Sequence, residues 1–265
     1  MAARSPTAVR GPGGRAVGVA LTAQVDRLLG PFGRALRRRR WSQLWLGAAG
    51  AALVVLFALL ARTRSGEVVV RHIAVVEDYL PLPVLLARLP LSIFAPASLL
   101  PFWFAVLQVG VVFAAAQAAL GTRRTVLVSF AGHAAATLSV RLWIWLGTPV
   151  GLSRWYLHYP DAGPSAAVLA LLAYLAVSRR VTWLALVLVG YQVVESATLH
   201  GATQREHLVG VLVGALLAAA GQLARQIRAA RRRAQPIQMS VTGVRRVASP
   251  IPPSPHSAST VRSSR

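Results

Sequence analysis

PFWFAVLQVGVVFAAAQAALGTRRTVLVSFAGHAAATLSVRLWIWLG, Pro101 to Gly147, holds two apolar runs joined by Gly121-Thr122-Arg123-Arg124. The first run, Pro101–Leu120, has no charged residue, and the second, Thr125–Gly147, has one, Arg141. At about 1.5 Å per helical residue, some 20 residues cross a hydrocarbon layer of about 30 Å. Two such runs separated by a short turn with two arginines predict a helical hairpin in a membrane, its turn on the cytoplasmic side.

Working outward, four further runs match the template. Trp41–Leu60 precedes the hairpin, and Gly163–Ser178, Val181–Leu199 and His207–Ala224 follow it. The expected fold is therefore all-α with six transmembrane helices, spanning 41–60, 101–120, 125–147, 163–178, 181–199 and 207–224. Composition agrees: 55% of residues are apolar and 14% charged, which places the chain with membrane proteins. With no cysteine, disulfides and thiolate metal sites are excluded.

The net charge of +22 is a matter of topology. Of the 29 basic residues, all arginine, 22 lie before Trp41, after Ala224 or in the turns Arg123/Arg124 and Arg179/Arg180. Asp26 alone of the seven acids joins them. An even number of spans with both termini in the cytoplasm satisfies the positive-inside rule. The expected location is the plasma membrane, with the lipid bilayer as a partner and no nucleic-acid partner.

Residues 1–40 read as a flexible, basic cytoplasmic segment, for which a surface amphipathic helix on anionic lipid is the alternative. Residues 41–224 form the membrane domain, and 225–265 a basic, Pro/Ser-rich disordered tail. Between the first two spans, Arg62–Leu100 reads as a long outer loop with short interfacial helices, since Pro81, Pro83, Pro90 and Pro96 oppose a straight span. The loop Thr148–Ala162 carries Trp155, Tyr156 and Tyr159, residues suited to a membrane interface.

Ionisable groups at membrane depth are functional candidates, although many serve helix association. Arg141 and Glu195 fall at matching depths of two outward-running spans and are expected to form an ion pair. His133 is expected to be a hydrogen bonder in helix packing. No second ligand lies at metal spacing beside it, so neither a metal site nor a cofactor is expected. Ser165 and His207 differ, because both stand at the outer start of inward-running helices. The run before Ser165 is Asp161-Ala-Gly163-Pro164, where Gly163 allows a tight turn and Pro164 suits a first helical turn. Backbone N–H groups of Gly163 and Ser165 at that helix start could stabilise an oxyanion, and a facing histidine could act as general base. On residue types alone, Ser165 reads first as a helix-start residue and His207 as a loop end. Gly210 and Gly214 form a GxxxG that lets another helix approach closely.

Gly163-Pro164-Ser165-Ala166 and His207-x-x-Gly210-x-x-x-Gly214 together resemble the rhomboid intramembrane serine proteases. That family places its nucleophile in Gly-x-Ser-Gly on a short fourth helix and its base in His-x-x-Gly-x-x-x-Gly on the sixth. The resemblance covers about Trp41–Ala224 and implies a Ser165 nucleophile and a His207 general base acting on transmembrane protein substrates. The chain departs from the family where His-x-x-x-Asn supports the oxyanion, since Pro101 and Ala105 stand there, and where Glu is usual, since Gln117 replaces it. Ala166 replaces the final glycine of the serine motif. The resemblance therefore also admits a pseudoprotease that binds membrane partners without cutting them. A small permease ranks last, because the sequence has neither a half-to-half repeat nor paired interrupted helices.

Overall fold

The computed structural model describes residues 12–96, 101–148 and 151–234. Among these the protein is all-α, with nine α-helices: α1 Pro12–Arg37, α2 Trp45–Leu60, α3 Arg64–Ala74, α4 Leu82–Ser92, α5 Phe102–Leu120, α6 Thr122–Leu146, α7 Ser165–Ser178, α8 Thr182–Thr198 and α9 Ala202–Ala234. The chain divides into two units, Met1–Arg225 and Gln226–Arg265. The second is described only over Gln226–Ala234, where it is helical.

Three helices, Phe102–Leu120, Thr122–Leu146 and Ala202–Arg233, are long and apolar enough to cross a membrane, which makes this a multi-pass membrane protein. That corrects the expectation of six full spans. The predicted first span loses its start to a separate 3-10 turn, Trp41–Gln43, leaving 16 residues in α2. The predicted fourth is shortened because Gly163 and Pro164 stand outside it, leaving 14 residues in α7, or about 21 Å. The predicted fifth, α8, has 17 residues and contains Gln192 and Glu195.

The packing is that of a protein whose solvent is lipid. On α6, Gly132, His133, Ala136, Thr137 and Val140 turn inward, while Leu127, Leu142 and Trp145 are exposed, Trp145 to 81%. Small residues inside and large apolar residues outside are what dispersion-driven helix association requires. On α2, a Cβ at Gly47 would overlap the Gly110 carbonyl oxygen of α5, so the two backbones touch. Buried Gln117 fastens the same pair: its Oε1 accepts from Leu46 N–H at 2.8 Å, and its Nε2 donates to Ser42 O at 3.2 Å and Thr122 Oγ1 at 3.0 Å. The position where Glu was usual is thus a satisfied structural clamp.

Two further expectations change. Residues Pro12–Arg37 of the supposedly flexible segment are helical, held by Leu28, Phe32 and Ala35 packing toward α5. The last helix begins at Ala202 and runs past Ala224, since no Gly or Pro lies between Ala224 and Pro236 to interrupt the good helix formers there. His207 therefore lies within a helix and does not end a loop. The tail expected to be disordered lies outside the described residues beyond Ala234. The long loop does contain the expected short helices, α3 and α4. Leu85 and Leu89 of α4 pack with Val76 against Ala134 and Leu138 of α6.

Replacing Gln117 by Leu leaves the part-buried Leu46 N–H at the start of α2 without its acceptor. Thermal unfolding in detergent should show a loss of about 1–3 kcal/mol; an unchanged melting temperature would remove the clamp role.

Candidate active site

The segment before α7 is held by backbone bonds to the long loop. Val76 N–H donates to Asp161 O at 2.9 Å and Asp161 N–H to Val76 O at 2.7 Å, an isolated antiparallel bridge. Gly163 then adopts φ +135°, a conformation that side chains resist, and its N–H donates to Ser92 O at 2.9 Å. This corrects the oxyanion assignment for Gly163, whose N–H is already used at the end of α4. The first backbone bond along α7 joins Val168 N–H to Pro164 O, so the N–H groups of Ser165, Ala166 and Ala167 precede the helical ladder. Ser165 is half-buried at this end.

His207 is positioned by the two glycines that follow it. A Cβ on Gly210 would come within 2.9 Å of Ala166 O, and one on Gly214 would overlap Ala170 O. Each contact advances four residues on both helices, so α7 and α9 run parallel. Gln222 Nε2 continues the seam, donating to Val177 O at 2.9 Å. Gly132 of α6 meets the Cβ of Ala170, so α7 is gripped from two sides. The register sets His207 level with Gly163, two residues or about 3 Å along the axis from Ser165. The two side chains thus occupy adjoining turns. They are not hydrogen-bonded to each other, and His207 Nε2 is buried without a partner.

Around this pair the structure gathers acids that the residue types alone did not single out. Asp161 accepts from Thr137 Oγ1 at 3.1 Å, and the buried Glu206 lies beside the Asp161 carboxyl. Asp78, buried in the loop after α3, faces Asp161 and Arg141. His207 is within Coulombic reach of Glu195 and Asp161. The available signal was scarcity: two of only seven acids directly flank the motifs, Asp161 four residues before Ser165 and Glu206 beside His207.

The predicted Arg141–Glu195 pair is not formed. Arg141 instead reaches the long loop, donating from Nη2 to Leu80 O at 2.9 Å with Asp78 nearby, while Glu195 faces the α9 side. Equal depth matched the two residues, but α6 turns Arg141 toward the loop. His133 is a hydrogen bonder, its Nε2 lying 2.7 Å from Ser92 Oγ. Since Ser92 Oγ donates to Leu89 O at 2.9 Å, it accepts from His133, and Nε2 carries the proton. Among the described residues no group of three His, Cys, Asp or Glu side chains could hold a metal ion. Ala105 is buried in the core and, like Pro101, offers no side-chain donor.

No known family, curated protein or solved structure matches the chain.

Burial, then the neighbouring Asp161, push the Asp78 carboxyl up to about 7, with Arg141 acting in the opposite direction. The folded chain therefore keeps a proton that the unfolded chain loses near pH ~4, so this contribution to stability is full below pH ~4 and falls as the pH rises toward about 7. Asp78→Asn should flatten the melting temperature across that window; a slope like that of the wild type would refute the assignment. Gly163→Ala should cost about 1–3 kcal/mol because of the positive φ, read as a lower melting temperature.

Proposed function

We propose that this protein is a rhomboid-like intramembrane serine endopeptidase of the plasma membrane, with both termini cytoplasmic and transmembrane protein segments as substrates. The observation that carries this reading is the parallel seam of Gly210 on Ala166 and Gly214 on Ala170, which brings the turn of His207 beside the start of α7. In this reading α5, α6 and α9 cross the bilayer, and the shorter helices α2, α7 and α8 belong to the same bundle.

Ser165 Oγ attacks the scissile carbonyl while His207 takes its proton, then passes it to the departing amine. Water, activated by the same histidine, releases the acyl group and restores the serine. The N–H groups at the start of α7 supply the oxyanion contacts. Without side-chain donors at positions 101 and 105, the reaction is expected to run about 100- to 1000-fold slower than with one such donor present.

A second reading, a rhomboid-like pseudoprotease that holds membrane partners without cutting them, draws support from Pro101, Ala105 and the unpartnered Nε2 of His207. A fluorophosphonate probe separates the two. Under the catalytic reading the purified wild type is labelled, Ser165→Ala is not, and His207→Ala labels about 100-fold more slowly or worse. Equal labelling of all three would end the assignment of Ser165 as nucleophile. If none is labelled and Ser165→Ala still captures the same membrane partners, the second reading stands.

A further inference from the structure

α1 has an apolar face wider than the protein covers. Leu28, Phe32 and Ala35 pack toward α5, where Ala114 and Ala118 meet them. Beside that stripe Leu21, Val25, Leu29 and Leu36 recur at helical spacing and remain 44, 42, 46 and 47% exposed. At about 100° per residue, Arg27, Arg34 and Arg37 fall on the opposite side. α1 is therefore amphipathic, and half of its apolar side has no protein against it.

The surroundings say what covers that half. Arg38–Arg40 continue the charge, and Asp26 is the sole acid before Glu67. Ala118 lies near the end of α5, so the exposed Arg123 and Arg124 just after that helix belong to the same end of the bundle. Arg179 donates to Ala119 O, which brings exposed Arg180 there as well. α2, an apolar helix, starts only eight residues after α1 ends, and Trp41 and Trp45 at the junction are exposed. An amphipathic helix joined at this level to an apolar helix, with interfacial tryptophans at the joint, lies in the headgroup layer.

We propose that α1 is a docking surface for anionic phospholipid. Leu21, Val25, Leu29 and Leu36 enter the acyl boundary, and the arginines engage lipid phosphates, to which guanidinium binds in bidentate fashion. A soluble acidic protein could match the arginines, but the apolar stripe continues at the level of the tryptophans, where lipid is the neighbour. The inference goes beyond the catalytic reading and holds or fails independently of it.

The absence of cysteine makes a direct test clean. The full chain carrying Leu29→Cys, labelled with bimane, is placed in nanodiscs of phosphatidylcholine alone or mixed with phosphatidylglycerol. Each disc contains lipid spin-labelled near the top of the acyl chain. The expected result is strong quenching in the anionic discs and weak quenching in the neutral ones, with an Arg27→Cys probe unquenched in both. At about a factor of five for each arginine near an anionic surface, Arg27→Gln, Arg34→Gln and Arg37→Gln together should weaken the anionic preference roughly 100-fold. An unchanged melting temperature confirms that the variants fold. A Leu29 probe that stays unquenched in both discs would overturn the proposal and leave the stripe to a protein partner. Equal quenching in both discs, or a preference that survives the triple substitution, would overturn it too.

Discussion

Contact between the backbones of α7 and α9 is the constraint on which the candidate site depends. Among lipid tails, apolar side chains gain little by meeting one another, so helices associate where backbones can approach and dispersion contacts become dense. Gly210 and Gly214 permit that approach on one helix, and Ala166 and Ala170 on the other. Ala166, where a second glycine would have allowed still closer contact, is accommodated because the opposing residue is itself glycine. Once this seam is formed, the register of α9 against α7 has no freedom, and His207 must stand beside the turn that carries Ser165.

The remainder of the site is assembled around that seam by polar groups with no water to turn to. Asp161 is anchored through its backbone to Val76 and through its side chain to Thr137, and Glu206 meets it from α9. Ser92 joins three elements: its carbonyl receives Gly163 N–H, and its hydroxyl links His133 to Leu89. These bonds make the long loop a structural part of the site, since α4 fixes the conformation from which α7 starts. The same economy explains why Gly163 is not an oxyanion donor: its N–H is already needed to close the loop onto the bundle.

The two ends of the bundle are electrostatically opposite. Near α7 and α9 the carboxyl groups of buried Asp78 and Glu206 and half-buried Asp161 converge with Arg141, whereas the other end carries exposed arginines on α1 and the two tight turns. Such a division suits a molecule that presents one end to anionic headgroups and reserves the other for polar chemistry. Gln117 belongs to the basic end, and through Leu46, Ser42 and Thr122 it ties the start of α2 to the α5–α6 turn. These bonds join the Trp41–Gln43 turn to the core of the bundle.

Helix identity was legible from the amino acids because it rests on local properties. Runs with at most one charge, arginines in the turns between them and proline-rich punctuation placed α2, α5, α6, α7, α8 and α9 close to where they occur, and the GxxxG marked a face of α9 that another helix approaches closely. Length was misjudged where single residues near the ends mattered, as with the separate turn at Trp41–Gln43 and the positive φ of Gly163. Partnership was not legible at all for the polar residues. Arg141 and Glu195 match in depth but not in direction, because depth follows from counting along one helix, while direction depends on how each helix is rotated against its neighbours. The cluster of Asp78, Asp161 and Glu206 joins residues far apart in the chain, brought together by loop closure and the glycine seam. Local chemistry determined which segments are helical and which residues could react; tertiary packing alone decided which of them meet.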